Sequence, residues 1–233
     1  MLLIFPPTSI SRRYGKAALG DLGGDLIPLG IASIAAFLRE KGYGIGVLDC
    51  CALRLSDSEI LDIIQDKKPS IVGLSSTTYA LPSSITLANT IRKELPDQLI
   101  MLGGSHANVA GEETIGEYDT FDLVAVGPDG EYTALEIIEA YKASGYSRSS
   151  LLSRPDLLSA IDGIYYSDSG KTVGTRPRSK ITDLDQLPLP ARDLFPMERY
   201  VPLPNQYKKL PLTNMVVIRG CSYVCTFCDQ AGT

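Results

Sequence analysis

The chain has 233 residues, of which 44% are hydrophobic and 21% are charged, and its formal net charge is −5. This composition is typical of a globular protein with a sizeable core, and the acidic balance argues against a nucleic-acid-binding surface. Met1–Phe5 carries no basic region or cleavage site, so it is not a signal peptide, and the apolar stretch Leu26–Leu38 is too short to span a membrane. We expect a cytoplasmic protein with no membrane span, whose cysteines stay reduced.

Short apolar runs alternate with amphipathic segments over residues 1–143. Five runs have the length and two-sided apolar character of buried parallel strands. They are Leu2–Phe5, Ile45–Leu48, Ile71–Leu74, Leu99–Leu102 and Leu123–Val126. Helical signals lie between them, including a capping box formed by Ser56 and Glu59 and Asp129 as the N-cap of a last helix. The alternation predicts an α/β fold, a doubly wound flavodoxin-like (Rossmann-type) parallel sheet of five strands in the order 2-1-3-4-5.

Small residues follow the third, fourth and fifth predicted strands. Ligands of such sheets bind outside the carboxyl ends of the strands, and glycines and hydroxyl groups there let a large ligand approach the backbone closely. The candidate binding residues are Ser75, Ser76, Thr77, Gly103, Gly104, His106, Gly127 and Glu131. For any one loop, a tight turn is the better explanation of these residues, and only the strand ends taken together favour a ligand site. His106, the only histidine, fits a locally bonded turn residue equally well.

Two adjacent cysteines, Cys50 and Cys51, follow the second predicted strand. Free cysteine is among the most buried residue types. We therefore interpret the pair as small buried side chains rather than as a metal or redox site.

Residues 144–212 are predicted to form a connector. Ser147–Ser153 is polar and loop-like, and Ile161–Val173 has the pattern of a β-hairpin with its turn at Asp168-Ser169-Gly170. The proline-rich residues 183–196 are expected to run extended over the surface.

Three cysteines near the end of the chain, Cys221, Cys225 and Cys228, have the spacing C-x-x-x-C-x-x-C and follow the apolar run Met215–Ile218, which we predict to be a strand. Thiolates are the ligands of iron–sulfur clusters, and three of them leave one iron of a [4Fe–4S] cluster open to a small molecule. A zinc site would normally need a fourth cysteine or histidine. A disulfide is not expected without a secretory signal.

This segment, with Arg219-Gly220 before the first cysteine and Phe227 before the last, resembles the radical S-adenosylmethionine (radical SAM) enzymes. The resemblance implies that the three cysteines hold a [4Fe–4S] cluster and that S-adenosylmethionine binds its open iron. It also implies that the backbone near Phe227 lies close to the adenine. We therefore expect residues 213–233 to be the first strand and cluster loop of a truncated radical SAM (β/α) barrel.

The rest of the chain resembles the cobalamin-binding domain that precedes some radical SAM barrels. The similar parts are Pro6-Pro7, PLGIASIAAFL at 28–38, GGSHA at 103–107, GPDGE at 127–131 and the LDQLPLPARDL linker at 184–194. The resemblance implies a cobalamin-binding domain at 1–143, a connector at 144–212 and the start of the radical SAM domain at 213–233. It also makes the eight strand-end residues named above the expected cobalamin contacts.

One departure concerns the axial ligand of cobalt. Many cobalamin proteins carry D-x-H-x-x-G after the first strand, and the loop at 6–24 contains no histidine. We therefore expect cobalamin to bind without that ligand.

The resemblance implies a cobalamin-dependent radical SAM enzyme, most simply a methyltransferase acting on an unreactive carbon of a small-molecule substrate, with an electron donor for its cluster. A ring-forming or rearranging enzyme with the same cofactors is an alternative, as is a cobalamin-binding module without catalysis. A transfer-RNA methylthiotransferase is disfavoured because its first domain would carry three cluster cysteines, whereas this one has only Cys50 and Cys51. The fragment alone is expected to bind cobalamin without turnover.

Overall fold

The computed structural model of the protein describes residues 1–8, 25–221, 223 and 225–228. The strands are β1 Leu2–Phe5, β2 Gly46–Asp49, β3 Ile71–Ser75, β4 Leu99–Gly103, β5 Leu123–Ala125, β6 Ile164–Asp168 and β7 Lys171–Gly174. The helices are α1 Leu29–Glu40, α2 Cys50–Leu53, α3 Asp57–Lys67, α4 Leu81–Glu94, α5 Ser105–Glu117, α6 Gly130–Ala143, α7 Arg148–Leu152 and α8 Pro155–Ser159. No helix within the described ranges is long and apolar enough to cross a membrane.

All of the strands belong to one sheet in the order β2-β1-β3-β4-β5-β6-β7. The first five pair in parallel and in the predicted order, and each predicted strand agrees with its observed bounds to within one residue. The agreement follows from the two-sided apolar character of these runs, since only a strand covered on both faces buries every side chain.

The prediction of a five-stranded sheet is wrong, because the hairpin predicted in the connector extends the sheet to seven described strands. β6 pairs antiparallel with β5, with Tyr165 opposite Val124, and β7 pairs antiparallel with β6. Ile164 and Tyr166 are fully or nearly buried, so β6 continues the apolar surface of β5. The hairpin covers an edge that would otherwise expose unpaired backbone groups.

Helices cover both faces of the sheet. Ile100 and Leu102 of β4 pack in one core with α3, α4 and α5, whereas Leu99 and Met101 of the same strand pack in the other, with α1 and α6. This alternation follows from the two-residue period of a strand. Burial of each such side chain contributes about 1.5–3 kcal/mol to stability. The two helix layers therefore hold the strands in this order, and the strand order decides which loops meet at the carboxyl edge.

The predicted capping box is present at α3, where the hydroxyl of Ser56 accepts from the N–H of Glu59 and the Glu59 carboxylate accepts from the N–H of Ser56 at 2.9 Å. Asp129 occupies the N-cap position of α6 but makes no capping hydrogen bond. One of its carboxylate oxygens instead accepts from the backbone N–H of Ile181 at 2.6 Å. The predicted role of Asp129 as a cap is therefore wrong, because the connector and a further partner described below use its carboxylate.

The interpretation of Ser147–Ser153 as a loop is also wrong, since α7 lies there. The hydroxyl of Ser147 accepts from the N–H of Ser150 and caps the helix, and Leu151 is fully buried. A short helix of this kind depends on its cap and its tertiary packing rather than on intrinsic propensity.

The proline-rich linker runs over α1 and β2, interrupted by short 3-10 helices. Arg39 of α1 binds Asp193 through two hydrogen bonds of 2.6 and 3.1 Å. The phenol of Tyr200 donates to the buried carboxylate of Asp49 at 2.8 Å. Burial raises the pKa of Asp49, against the opposing effect of the hydrogen bonds that it accepts. The sheet domain thus holds the linker at Asp193 and the chain just after the linker at Tyr200.

The strand predicted at Met215–Ile218 is not formed. These four side chains are between 62% and 75% exposed, and no described strand pairs with them. A β-strand needs a hydrogen-bonded neighbour, and none of the described residues supplies one here.

Candidate functional site

A cavity of about 450 Å³ opens at the carboxyl edge of the parallel sheet. Its lining comes from β1, β3, β4 and β5 below and from α1 and α6 at the sides. Val216, Ile218, Arg219 and Gly220 of the segment that leads to the cysteines line it as well. The cavity is therefore shared between the sheet domain and the cysteine segment.

Two neighbouring glycines shape the cavity in different ways. A Cβ atom built on Gly103 would meet nothing closer than the carbonyl oxygen of Ala125 at 3.9 Å, so this glycine leaves open space. Gly104 has a φ of +95°, and its Cβ would come within 2.6 Å of the Ser76 carbonyl oxygen. Only glycine suits that position, because a Cβ atom would clash with the Ser76 oxygen. That oxygen is held in place, since it accepts from the backbone N–H of His106 at 3.0 Å.

Five of the predicted contacts line the cavity, namely Ser75, Gly103, Gly104, Gly127 and Glu131. Ser76, Thr77, His106 and Phe227 do not. The buried hydroxyl of Ser76 donates to the Thr77 carbonyl at 2.9 Å and accepts from the Ser84 hydroxyl at 3.0 Å. These polar groups are satisfied within the protein, on the face of the sheet opposite to the cavity.

His106 is buried, and both of its ring nitrogens are bonded. Nδ1 lies 3.1 Å from the hydroxyl of Thr78, and Nε2 lies 3.0 Å from that of Thr114. Since the Thr114 hydroxyl donates its proton to the Ala110 carbonyl, it accepts from Nε2, and Nδ1 accepts from Thr78. Burial lowers the pKa of His106, against a smaller opposing effect of Glu113. His106 is therefore a residue of the first turn of α5 whose ring is bonded to two threonine side chains, and not the turn residue bonded to local backbone that the sequence suggested.

A buried cluster of charges lies at the lining of the cavity beside the cysteine segment. Asp129 and Glu131 are each 3% exposed and lie at the N-terminus of α6. Arg219 donates to the two carboxylate oxygens of Glu131 at 2.6 and 3.1 Å and to Asp129 at 3.3 Å. Two carboxylates thus share one guanidinium. The carboxylate of Glu131, a predicted cobalamin contact, is paired with a residue 88 positions away in the chain.

The three predicted cluster ligands are not brought together. Cys221 and Cys225 are exposed, Cys228 is half-buried, and no described group of three such side chains has metal-binding geometry. The N–H of Cys228 donates to the Cys225 carbonyl at 3.1 Å, and Phe227 is 90% exposed. Metal sites are commonly organised by the metal itself, so the accessible thiols keep the donor chemistry of an iron–sulfur site without its geometry. The assignment of these ligands stays a prediction.

The cysteines after β2 behave differently. Both were predicted to be buried; Cys50 is, whereas Cys51 is half-buried, and burial raises the pKa of both thiols. The sulfur of Cys51 lies 3.1 Å from the hydroxyl of Thr8 and 3.3 Å from the carbonyl of Pro6. Burial thus disfavours the thiolate form of both residues, which is the form that binds metals and attacks electrophiles.

Sequence reasoning missed several lining residues. Asn108 of α5 accepts from the Gly127 N–H at 2.9 Å and so holds the loop after β5, but no sequence motif marks it. A Cβ on Gly30 would meet no atom within 4 Å, which makes it a second source of open space. The position of Arg219, just before the first cysteine, marked it in the sequence as a residue of interest. Its ion-pair partners could not be assigned without the fold.

An open cavity at the carboxyl edge of a parallel α/β sheet, between helices on one face, defines a ligand-binding domain of the doubly wound class. Residues 15–138, more than half of the chain, match the B12 binding domain. The chain therefore belongs to the B12 binding domain family.

The relatives of the chain extend this result. It is 31% identical over 231 residues to an uncharacterized methyltransferase of Pyrococcus horikoshii, covering 99% of this chain and 45% of that protein. It is 26% identical over 212 residues to the anaerobic magnesium-protoporphyrin IX monomethyl ester cyclase of Rubrivivax gelatinosus, covering 90% of this chain and 36% of that one.

A solved structure shares the fold. The cobalamin-dependent S-adenosylmethionine radical enzyme OxsB, with aqua-cobalamin and S-adenosylmethionine bound, superposes with a TM-score of 0.63 at 15% identity, over 83% of this chain and 24% of that one. The predicted resemblance to cobalamin-binding-domain radical SAM enzymes is confirmed. The chain spans less than half the length of these relatives.

Proposed function

We propose that the intact protein is a cobalamin-dependent radical SAM enzyme and that its first domain binds cobalamin in the cavity at the carboxyl edge. The observation that carries the proposal is the cavity itself. Most of its lining residues belong to the part of the chain that matches the B12 binding domain, glycines keep it open, and the cysteine segment contributes the rest of one side.

The lining suits a large ligand with apolar and amide-bearing parts. Leu3, Ile34 and Ala125 give apolar walls, whereas Ser75 and Asn108 offer hydroxyl and amide groups. A few polar groups set in an apolar wall are typical of cofactor sites. When bound there, cobalamin supplies a cobalt centre that can carry a methyl group.

The histidine pattern supports binding without a protein imidazole on cobalt. His106 is the only histidine, it does not line the cavity, and two threonine hydroxyls occupy its ring nitrogens. A bound corrinoid is therefore expected to carry no protein imidazole on cobalt, and we further expect its own tail base to be off cobalt, which its absorbance reports.

Cys221, Cys225 and Cys228 would ligate a [4Fe–4S] cluster, S-adenosylmethionine would bind the open iron, and Phe227 would lie beside its adenine. Arg219 and Gly220 line the cavity, and Cys221 follows them directly. This supports a cluster held by the cysteine segment next to a cobalamin held by the sheet domain. An external electron donor and a small-molecule substrate complete the scheme, which fits the reducing conditions of the cytoplasm.

Methyl transfer to an unreactive carbon is the reaction we favour, since the relative at 31% identity carries the name of a methyltransferase. A ring-forming reaction with the same cofactors is the second candidate, and the 26% identical cyclase supports it.

The test uses the full-length protein, purified without cofactors and titrated with hydroxocobalamin. Near-stoichiometric corrin retained after desalting, with a base-off spectrum, is the expected result. After cluster reconstitution and reduction, conversion of S-adenosylmethionine to 5′-deoxyadenosine and S-adenosylhomocysteine is expected. A folded sample that retains no corrin would overturn the cobalamin assignment, and a loaded sample that consumes no S-adenosylmethionine would leave a binding module.

A further inference from the structure

The cluster formed by Arg219, Asp129 and Glu131 is the feature that the cofactor scheme leaves unexplained. A buried carboxylate is costly unless a positive charge or several hydrogen bonds compensate it. Among the described residues, Arg219 is the cation that ion-pairs with both Asp129 and Glu131. The N-terminus of α6 adds a favourable partial charge. The sheet domain therefore holds a strong site for one guanidinium, and the guanidinium comes from the cysteine segment.

Arg219 is also the last anchor of that segment. Before it, the side chain of Asn214 donates to the Ile27 carbonyl at 3.0 Å, and Arg192 donates to the Asn214 carbonyl at 2.8 Å. After it, the described cysteines make only the local bond between Cys228 and Cys225. The path of the chain into the first cysteine is therefore set at Arg219.

The same residues line the cavity. Glu131, Arg219 and Gly220 all contribute to its surface, so a ligand inside it contacts both halves of the ion-pair cluster. Any ligand that binds better when Arg219 is paired must in turn stabilise that pairing, because coupling between two equilibria is reciprocal.

We propose that Arg219 is a positioning residue: held by Asp129 and Glu131, it fixes the cysteine segment against the cavity and links cobalamin binding to the order of that segment. The second half of this inference rests on the proposed function, whereas the first half concerns the cofactor-free protein and stands without it.

The experiment compares Arg219→Gln, Glu131→Gln and the double variant in the full-length protein. Arg154→Gln is the matched control, because Arg154 also makes a two-bond ion pair, with the nearby Asp156 at 2.6 and 2.8 Å, on the surface. In the cofactor-free protein, limited chymotrypsin digestion reports the opening of the segment through cleavage after Tyr223 and Phe227. Thermal unfolding of each variant checks that the sheet domain is intact.

Arg219→Gln is expected to speed cleavage at these two exposed sites roughly tenfold, since cleavage requires the backbone to detach from its anchor at Arg219 and so follows the population of the detached form. It is also expected to weaken cobalamin binding roughly tenfold, within the usual range of coupling between sites. The double variant should lose less than the sum of the single variants, because both changes remove the same Arg219–Glu131 pair and only Asp129 is then left without its cation. Arg219→Lys should restore part of both effects, and Arg154→Gln should change neither.

Unchanged cleavage in Arg219→Gln and Glu131→Gln would overturn the positioning role. Faster cleavage with unchanged cobalamin affinity would overturn the link between the two sites. If the wild-type protein retains no corrin, the proposed function fails, whereas the digestion of the cofactor-free variants still decides whether Arg219 positions the segment.

Discussion

Replacing Gly103 with valine tests whether cobalamin occupies the cavity. Gly103 ends β4 on the same face as Leu99 and Met101, which is the face that α1 and α6 cover. Its Cβ would point into open space, with no atom closer than 3.9 Å. Valine therefore adds three carbon atoms at the cavity wall, and the first of them, Cβ, makes only ordinary contacts with the protein itself.

The variant should separate stability from binding. Valine suits a strand better than glycine does, so the free energy of unfolding should stay unchanged or rise by about 0.5 kcal/mol. A ligand that needs the filled space is overpacked, which costs typically 1–3 kcal/mol. That cost corresponds to a loss of roughly 5- to 150-fold in cobalamin affinity. Gly103→Ala should give a smaller loss.

Calorimetric titration with hydroxocobalamin measures the affinity, and urea unfolding measures the stability. Gly44→Val is the control, because a Cβ there meets no atom within 4 Å and Gly44 does not line the cavity. Wild-type affinity in a folded Gly103→Val protein would refute the reasoning, since cobalamin would then bind somewhere else. An equal loss in Gly44→Val would show that the effect is not specific to the cavity.

Three further predictions concern other parts of the molecule. Replacing Cys221, Cys225 and Cys228 together with alanine should abolish iron and sulfide incorporation while cobalamin affinity stays within about twofold. Burial holds the pKa of His106 below its usual 6.5, so the unfolded state binds more protons below that pH. The free energy of unfolding should therefore fall as pH drops below 6.5, and urea titrations should show a weaker fall in His106→Gln. Asp122→Ala should cost about 3 kcal/mol in urea unfolding, because it removes a buried carboxylate that accepts from two arginines and a backbone N–H. A cost below about 1 kcal/mol would contradict that role.

Local patterns predicted the parallel sheet because its strands are apolar on both faces, a property visible in the sequence itself. They did not predict that β6 would join β5, since that pairing depends on which edge is free after the helices have packed. The helix α5 was not recognised either: Gly111 and Gly116 interrupt its pattern, and its backbone leaves the helical region at Ala110. Such features need tertiary contacts to fix them.

For the candidate site, the rule that ligands bind at carboxyl ends of strands, together with the family resemblance, selected Ser75, Gly103 and Gly127, which line the cavity. It could not separate Ser75 from Ser76, whose hydroxyl bonds to α4 on the opposite face of the sheet. Nor could it pair Arg219 with Glu131, because their meeting depends on the path of the whole connector.

The hydrogen bonds of Asn214 and Arg219 limit how far Cys221 can lie from the sheet domain. Asn214 is tied to Ile27 and Arg219 to Glu131, so both ends of the short stretch between them are held by the sheet domain. Two residues of chain span at most about 7 Å, which keeps the Cα atom of Cys221 within that radius of Arg219. A group held by Cys221 would therefore have a high effective concentration relative to a ligand in the cavity. That concentration would be set by the length of the connecting chain rather than by diffusion between domains.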